Sequence, residues 1–131
     1  MSEEFEADVF PQGEYAVQIM DMSGANGDEP VETVKGFISI EHANAFARRY
    51  VRDSVERCRA PGADAKATLD AWFAYGEDAE VVGAGDDAWV SRSELKDFAD
   101  MPVRDPEERN WRVLDPRLDE DADADDEEDE A

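Results

Sequence analysis

An α+β fold is what this 131-residue sequence predicts: a small, mainly antiparallel sheet in the chain order β-β-α-α-β-β-α, with helices on one face and a disordered acidic C-terminal tail. Three observations carry the prediction. Two early stretches alternate apolar and polar residues with the period of a half-buried strand. The run from Ser39 to Ala60 keeps one apolar stripe at helical spacing over about four turns. Two shorter helical patterns follow, each with its own start and stop residues.

In order, EYAVQIMDM after Gly13 sends Tyr15, Val17 and Ile19 to one side and Ala16, Gln18 and Met20 to the other. SGANGDEP, dense in turn residues, is too long for a two-residue hairpin turn. ETVKGFISI alternates again, setting Val34, Ile38 and Ile40 against Thr33, Lys35 and Phe37. Gly36 marks a bulge or a close approach of another backbone. Together these two strands and the long run after them make a β-β-α unit.

The long run predicts a helix over 41–60. Ala43, Phe46, Ala47, Tyr50, Val51, Ser54, Val55 and Cys58 form its apolar stripe. Ser39 is its N-cap, Glu41 suits the positive end of the dipole, and Pro61-Gly62 stops it. Its polar side carries Arg48, Arg49, Arg52 and Arg59, with Asp53 and Glu56 close enough for ion pairs. That strip reads as a solvated face or as an anion- or partner-binding strip, since a guanidinium presents a planar donor fork. It lacks the interleaved aromatics and glycines of a nucleic-acid surface.

Asp64 caps a second helix, 65–75, with Leu69, Trp72 and Phe73 at helical spacing and Gly76 as its stop. Short strands at Glu80–Val82 and Ala88–Val90 flank GAGDD and predict a small hairpin. Ser91-Arg-Ser-Glu94 has the form of a capping box, with Val90 and Leu95 as its staple. It starts a helix over 92–100, ended by Pro102. Beyond Met101 no period survives. Trp111, Val113 and Leu114 are the sticky residues there, either packing across the body or forming a partner-binding peptide.

These boundaries divide the chain into an N-terminal arm, 1–12, one domain, 13–101, an irregular extension, 102–118, and a polyacidic tail, 119–131. The net charge is −23. Residues 119–130 contribute ten acids and no base, which leaves −13 on the rest. Binding of DNA backbone is therefore not expected, because it requires clustered cations. No apolar run reaches the length of a membrane span and no basic leader opens the chain, so neither a span nor a secretory signal is expected. The single Cys58 forms no internal disulfide and fits a reducing, cytoplasmic setting.

Motifs for chemistry are scarce. No phosphate loop, dinucleotide fingerprint, nucleophile elbow or Cys/His metal set appears, so neither cofactor nor metal is expected. His42 and Cys58 stand sixteen residues apart, about 24 Å along one helix, too far for a dyad. Glu77, Asp78, Glu80, Asp86 and Asp87 are the carboxylates that an acid/base or cation site would use, without the glycine-centred loop of a calcium site.

Through Gly36-Phe37, Glu41-x-Ala43 and Tyr75-Gly-Glu-Asp78 the sequence resembles a group of small bacterial proteins of uncharacterised function. In that group a strand pair leads into an E-x-A-rich helix and then a second helix ending F-G-E-D. The resemblance covers about residues 13–82 and implies a β-β-α-α-β order, with no activity attached.

The expected function is a non-enzymatic interaction or regulatory module whose acidic surface and tail attract a basic protein partner. A nucleic-acid mimic that occludes a DNA-binding protein is the first alternative, and a carboxylate-dependent enzyme the second. A further expectation is that the polyacidic tail folds back over the arginine strip.

Overall fold

A computed structural model of the protein describes residues 15–27 and 29–117. Its strands are β1 (Tyr15–Asp21), β2 (Glu32–Phe37) and β3 (Glu77–Val82). Its helices are α1 (Ile40–Arg57), α2 (Ala65–Tyr75) and α3 (Leu95–Asp100). The sheet is antiparallel in the order β2-β1-β3, so the first strand lies in the middle and the other two are edges. The α+β architecture is the one the sequence predicts. The expected N-terminal arm and polyacidic tail lie outside the described residues.

β1 is central because both of its sides are taken. Val17 and Ile19 point into the core and pair with Val34 and Glu32 on one side, and with Val81 and Ala79 on the other. Ala16, Gln18 and Met20 occupy the opposite face with Lys35, Thr33, Glu80 and Asp78 as neighbours. β2 departs from the predicted alternation. The register shifts between Tyr15 and Ala16, whose partners are Phe37 and Lys35, and Gly36 is the extra residue, with φ at 104°. A bulge inserts one residue into the period of two. Val34 and Phe37 thus share the core face, and Ile38, grouped with Val34 by the alternation, is exposed. A Cβ on Gly36 would stand 3.2 Å from Pro116 Cβ, so the expected bulge holds, while the close neighbour is a proline side chain and not another backbone.

α1 lies on the sheet, and α2 and α3 pack against it and against each other. Ser39 caps α1, its hydroxyl accepting the His42 N–H at 3.1 Å, and Asp64 does the same for α2 through the Ala67 N–H at 2.9 Å. α1 ends at Arg57, and Cys58 closes it. Phe46, Val51, Val55, Trp72, Phe37 and Phe98 fill the core with almost no exposure.

Ser54, in the apolar stripe, resolves a buried polar problem. Its hydroxyl accepts the indole N–H of Trp72 at 3.1 Å and the backbone N–H of Glu77 at 2.9 Å, joining α1, α2 and the start of β3. Gly76 sits at the same junction with an ordinary φ of −82°. Space is what requires glycine there, since a Cβ would fall 2.3 Å from Trp72 Cδ1.

Two predicted elements are corrected. Ala88–Val90 is not a strand, because Asn44 of α1 takes its backbone: the side-chain amide donates to Asp87 O at 3.1 Å and accepts the Trp89 N–H at 2.9 Å. A side-chain amide that mimics a peptide leaves no reason for strand pairing. The capping box does not form either. Ser91–Ser93 is a single 3-10 turn without a side-chain cap, and α3 is shorter than the predicted 92–100. Glu94, the acid of that motif, turns instead to Arg48, whose Nε and Nη2 each donate at 2.7 Å, and to the Trp89 indole N–H at 2.8 Å.

Candidate functional site

The arginines expected to project outward face the protein's own C-terminal segments. Arg48 forms the two-pronged pair with Glu94 and lies over the Phe98 ring. Arg49 donates to Asn110 O at 3.1 Å. Arg52, only 7% exposed, donates to Phe98 O and to Glu108 and also lies over Phe98. Arg59 pairs with Glu56 and donates to the carbonyls of Phe98 and Ala99. Those carbonyls lie in the last turn of α3, where no intrahelical donor remains for them. The strip is therefore a clamp on α3 and the extension, not a free recognition surface. The tail expected to cover it lies outside the described residues.

The extension packs back as well. Residues 102–117 follow α1 through two 3-10 turns, Pro106–Arg109 and Arg112–Leu114. Trp111 stacks at an angle on Tyr50 and Phe46, with ring centroids 4.9 and 5.7 Å away. Leu114 packs on the core, and its carbonyl meets His42 Nε2 at 2.6 Å. Buried Asp53 anchors the segment, accepting from Arg109 Nε at 2.6 Å and the Trp111 indole at 3.2 Å, with Arg57 nearby. Of the residues considered as a partner-binding peptide, Trp111 and Leu114 are thus committed to the body, and Val113 alone is exposed. The domain boundary moves accordingly from 101 to include the extension.

One open cleft among the described residues lies at the β3 edge. With a volume of about 590 Å³, it runs between β3 and the segment 85–92. Trp72, Phe73, Trp89, Met22 and Leu95 line it with apolar surface, and Phe73 is 52% exposed. Asp78, Glu80, Ser91 and Arg92 supply its polar groups. Burial pushes the Asp78 carboxyl above its ordinary range, against the opposing effect of the Ser91 hydroxyl and the Ala79 N–H that it accepts. Concave, mainly apolar surface with a few convergent polar groups is the usual form of a binding site.

The five carboxylates considered for catalysis do not converge. β3 sends Glu77 to the α1 side, where it accepts the Tyr50 hydroxyl at 2.6 Å, and Asp78 to the opposite face. Burial, reinforced by that bond, holds the Tyr50 phenol protonated well above its ordinary pKa. Glu80, Asp86 and Asp87 are exposed. Among the described residues no group of three or more His, Cys, Asp or Glu side chains is placed to hold a metal ion. A second hollow of about 530 Å³ holds Cys58, Arg57, Tyr75 and Glu77. Burial raises the Cys58 thiol more than Arg57 lowers it, which makes a poor nucleophile near neutral pH.

Sequence reasoning missed the cleft. Trp72 and Phe73 were legible as a helical pair, but which flank stays open depends on the 85–92 loop, and that loop follows Asn44, forty residues earlier. Composition offered one signal, a tryptophan beside a glycine-rich acidic loop.

The fold and cleft define a small two-layer α+β protein with an open sheet edge. No family model matches this chain, and it has no match among curated proteins or solved structures. Among the described residues no helix is long and apolar enough to cross a membrane.

Proposed function

We propose that this protein is a non-enzymatic interaction module that captures a basic partner in the cleft beside β3. One observation carries the reading: an open, aromatic-walled cleft with Asp78 and Glu80 along its strand, in a chain of net charge −23. The aromatic walls supply contact area, and the carboxylates discriminate in favour of cations. The field of the whole chain steers a positively charged partner inward and repels an acidic one. The resemblance to the small bacterial group adds support for the order of elements and brings no activity with it. The reading assigns the protein to the cytoplasm, in keeping with its lone, unpaired cysteine.

Titrating the protein with short lysine-rich peptides at low and high salt, while following its backbone amide spectrum, tests the reading. Shifts concentrated at Ala79, Val81, Trp89 and Ser91 are expected, weakening as salt is added. Shifts spread evenly over the acidic surface would overturn the cleft as the site.

A further inference from the structure

Resting on that reading of the cleft, we infer that the partner enters as an extended basic segment and adds a strand to the edge of β3 that is unpaired among the described residues. Hydrogen bonding defines the edge. In an antiparallel pair the N–H and C=O of one residue point to the same side. The Ile19 carbonyl accepts the Val31 N–H at 2.8 Å, which directs Ile19 toward β2. Its partner on the other side, Ala79, therefore points its own backbone groups away from β1. Two contacts agree: the Glu77 N–H leaves the sheet for Ser54, and the Ala79 N–H is taken by the Asp78 carboxylate.

The period of two then places the Val81 N–H and C=O on the same edge, beside the Ala79 carbonyl. Both residues line the cleft. The edge thus offers one donor and two acceptors at strand spacing, the arrangement that an added strand uses. The Asp78 carboxylate blunts the neighbouring donor, as charged groups commonly do at sheet edges.

Side chains specify the occupant. Residues of the incoming strand on the outer face come beside Asp78 and Glu80, and the alternate ones come beside Val81 and the aromatic walls. The matching segment alternates basic and apolar residues. Two carboxylates, Asp78 and Glu80, line this edge against one guanidinium, Arg92, within a chain of net charge −23. Residues 1–14 of the chain itself carry five acids and no base, so the same field disfavours them as the occupant.

The test uses the full chain and two probes: acetyl-Lys-Val-Lys-Val-Lys-amide, and the same peptide with N-methylated valines, which keeps the charge and removes backbone donors. The plain peptide is expected to slow hydrogen exchange at the Val81 amide about tenfold and to bind about tenfold more tightly than its methylated form. Val81→Pro, which removes the edge donor, and Glu80→Lys, which reverses an exposed charge, should each weaken it. Equal binding of the two peptides overturns strand addition and leaves charge-driven capture in the cleft standing. Binding away from β3, or none at millimolar peptide, overturns both. If the Val81 amide is already protected in the free chain and loses protection when residues 1–14 are deleted, the arm is the occupant and the inference fails.

Discussion

Ser54 shows how much one hydroxyl can decide. It accepts the Trp72 indole N–H in the core and the first N–H of β3 at its part-buried margin. Ser54→Ala takes that acceptor from both donors, and a loss of about 2–4 kcal/mol is expected, read from urea unfolding midpoints. Ser54→Thr, which keeps the oxygen, should lose less. Glu94 makes the pH-dependent counterpart. Hydrogen bonds from Arg48 hold its carboxyl below the ordinary value of 4.5, against the opposing effect of burial. A depressed carboxylate stabilises the fold fully above its unfolded pKa, and that contribution drains away as pH falls through the folded one. The stability gap between the wild type and Glu94→Gln, about 1 kcal/mol for so exposed a pair, should be constant above about pH 5. It should close on acidification, and a gap that widened in acid would contradict the assignment.

Among elements, the extension 102–117 matters more than its lack of regular structure implies. It supplies Trp111 to the exposed side of Phe46 and Tyr50, and Arg109 and Trp111 to the buried Asp53 carboxylate. Ending the chain at residue 101 would leave that carboxylate with Arg57 as its remaining ion-pair partner and would uncover the aromatic pair. Losing the burial of a large apolar side chain costs about 1.5–3 kcal/mol, a large part of the stability of a small domain when several are affected. The truncated chain is expected to lose its cooperative thermal transition. If it instead melted like the full chain, the extension would be an appendage. α1 explains why this segment is held at all: its arginines, Asp53 and His42 each end on something C-terminal to Val90 or on its own neighbours.

For the whole molecule, charge is the governing quantity. A net charge of −23 on 131 residues sets up self-repulsion in the compact state, and it acts at distances that salt screens. The internal pairs of Arg52 and Arg59 are largely sheltered and should weaken little. Added sodium chloride should therefore raise the thermal midpoint monotonically from low ionic strength. A midpoint that fell would show that exposed ion pairs outweigh the repulsion. The same screening should weaken capture of a basic partner, so stability and binding are expected to respond to salt in opposite directions.

The sequence by itself determined the first two strands and the two longer helices. Period-two alternation, the caps at Ser39 and Asp64, and the stop at Gly76 depend on neighbours a few residues apart, and local spacing records them, whereas the long helix ends at Arg57 rather than at the predicted residue 60. Phe37 escaped that reading because one bulge at Gly36 inverts the parity of everything after it in β2. Tertiary structure alone decided the rest. The arginines of α1 look solvent-directed on a helical wheel, yet α3 and the extension arrive from forty to sixty residues away to meet them. Glu94 fits a local cap by spacing, but a guanidinium and an indole offered it stronger charge-assisted partners. One wall of the cleft is the 85–92 segment, which Asn44 fixes through Asp87 O and the Trp89 N–H, a contact between groups with no sequence relation that only the folded chain brings together.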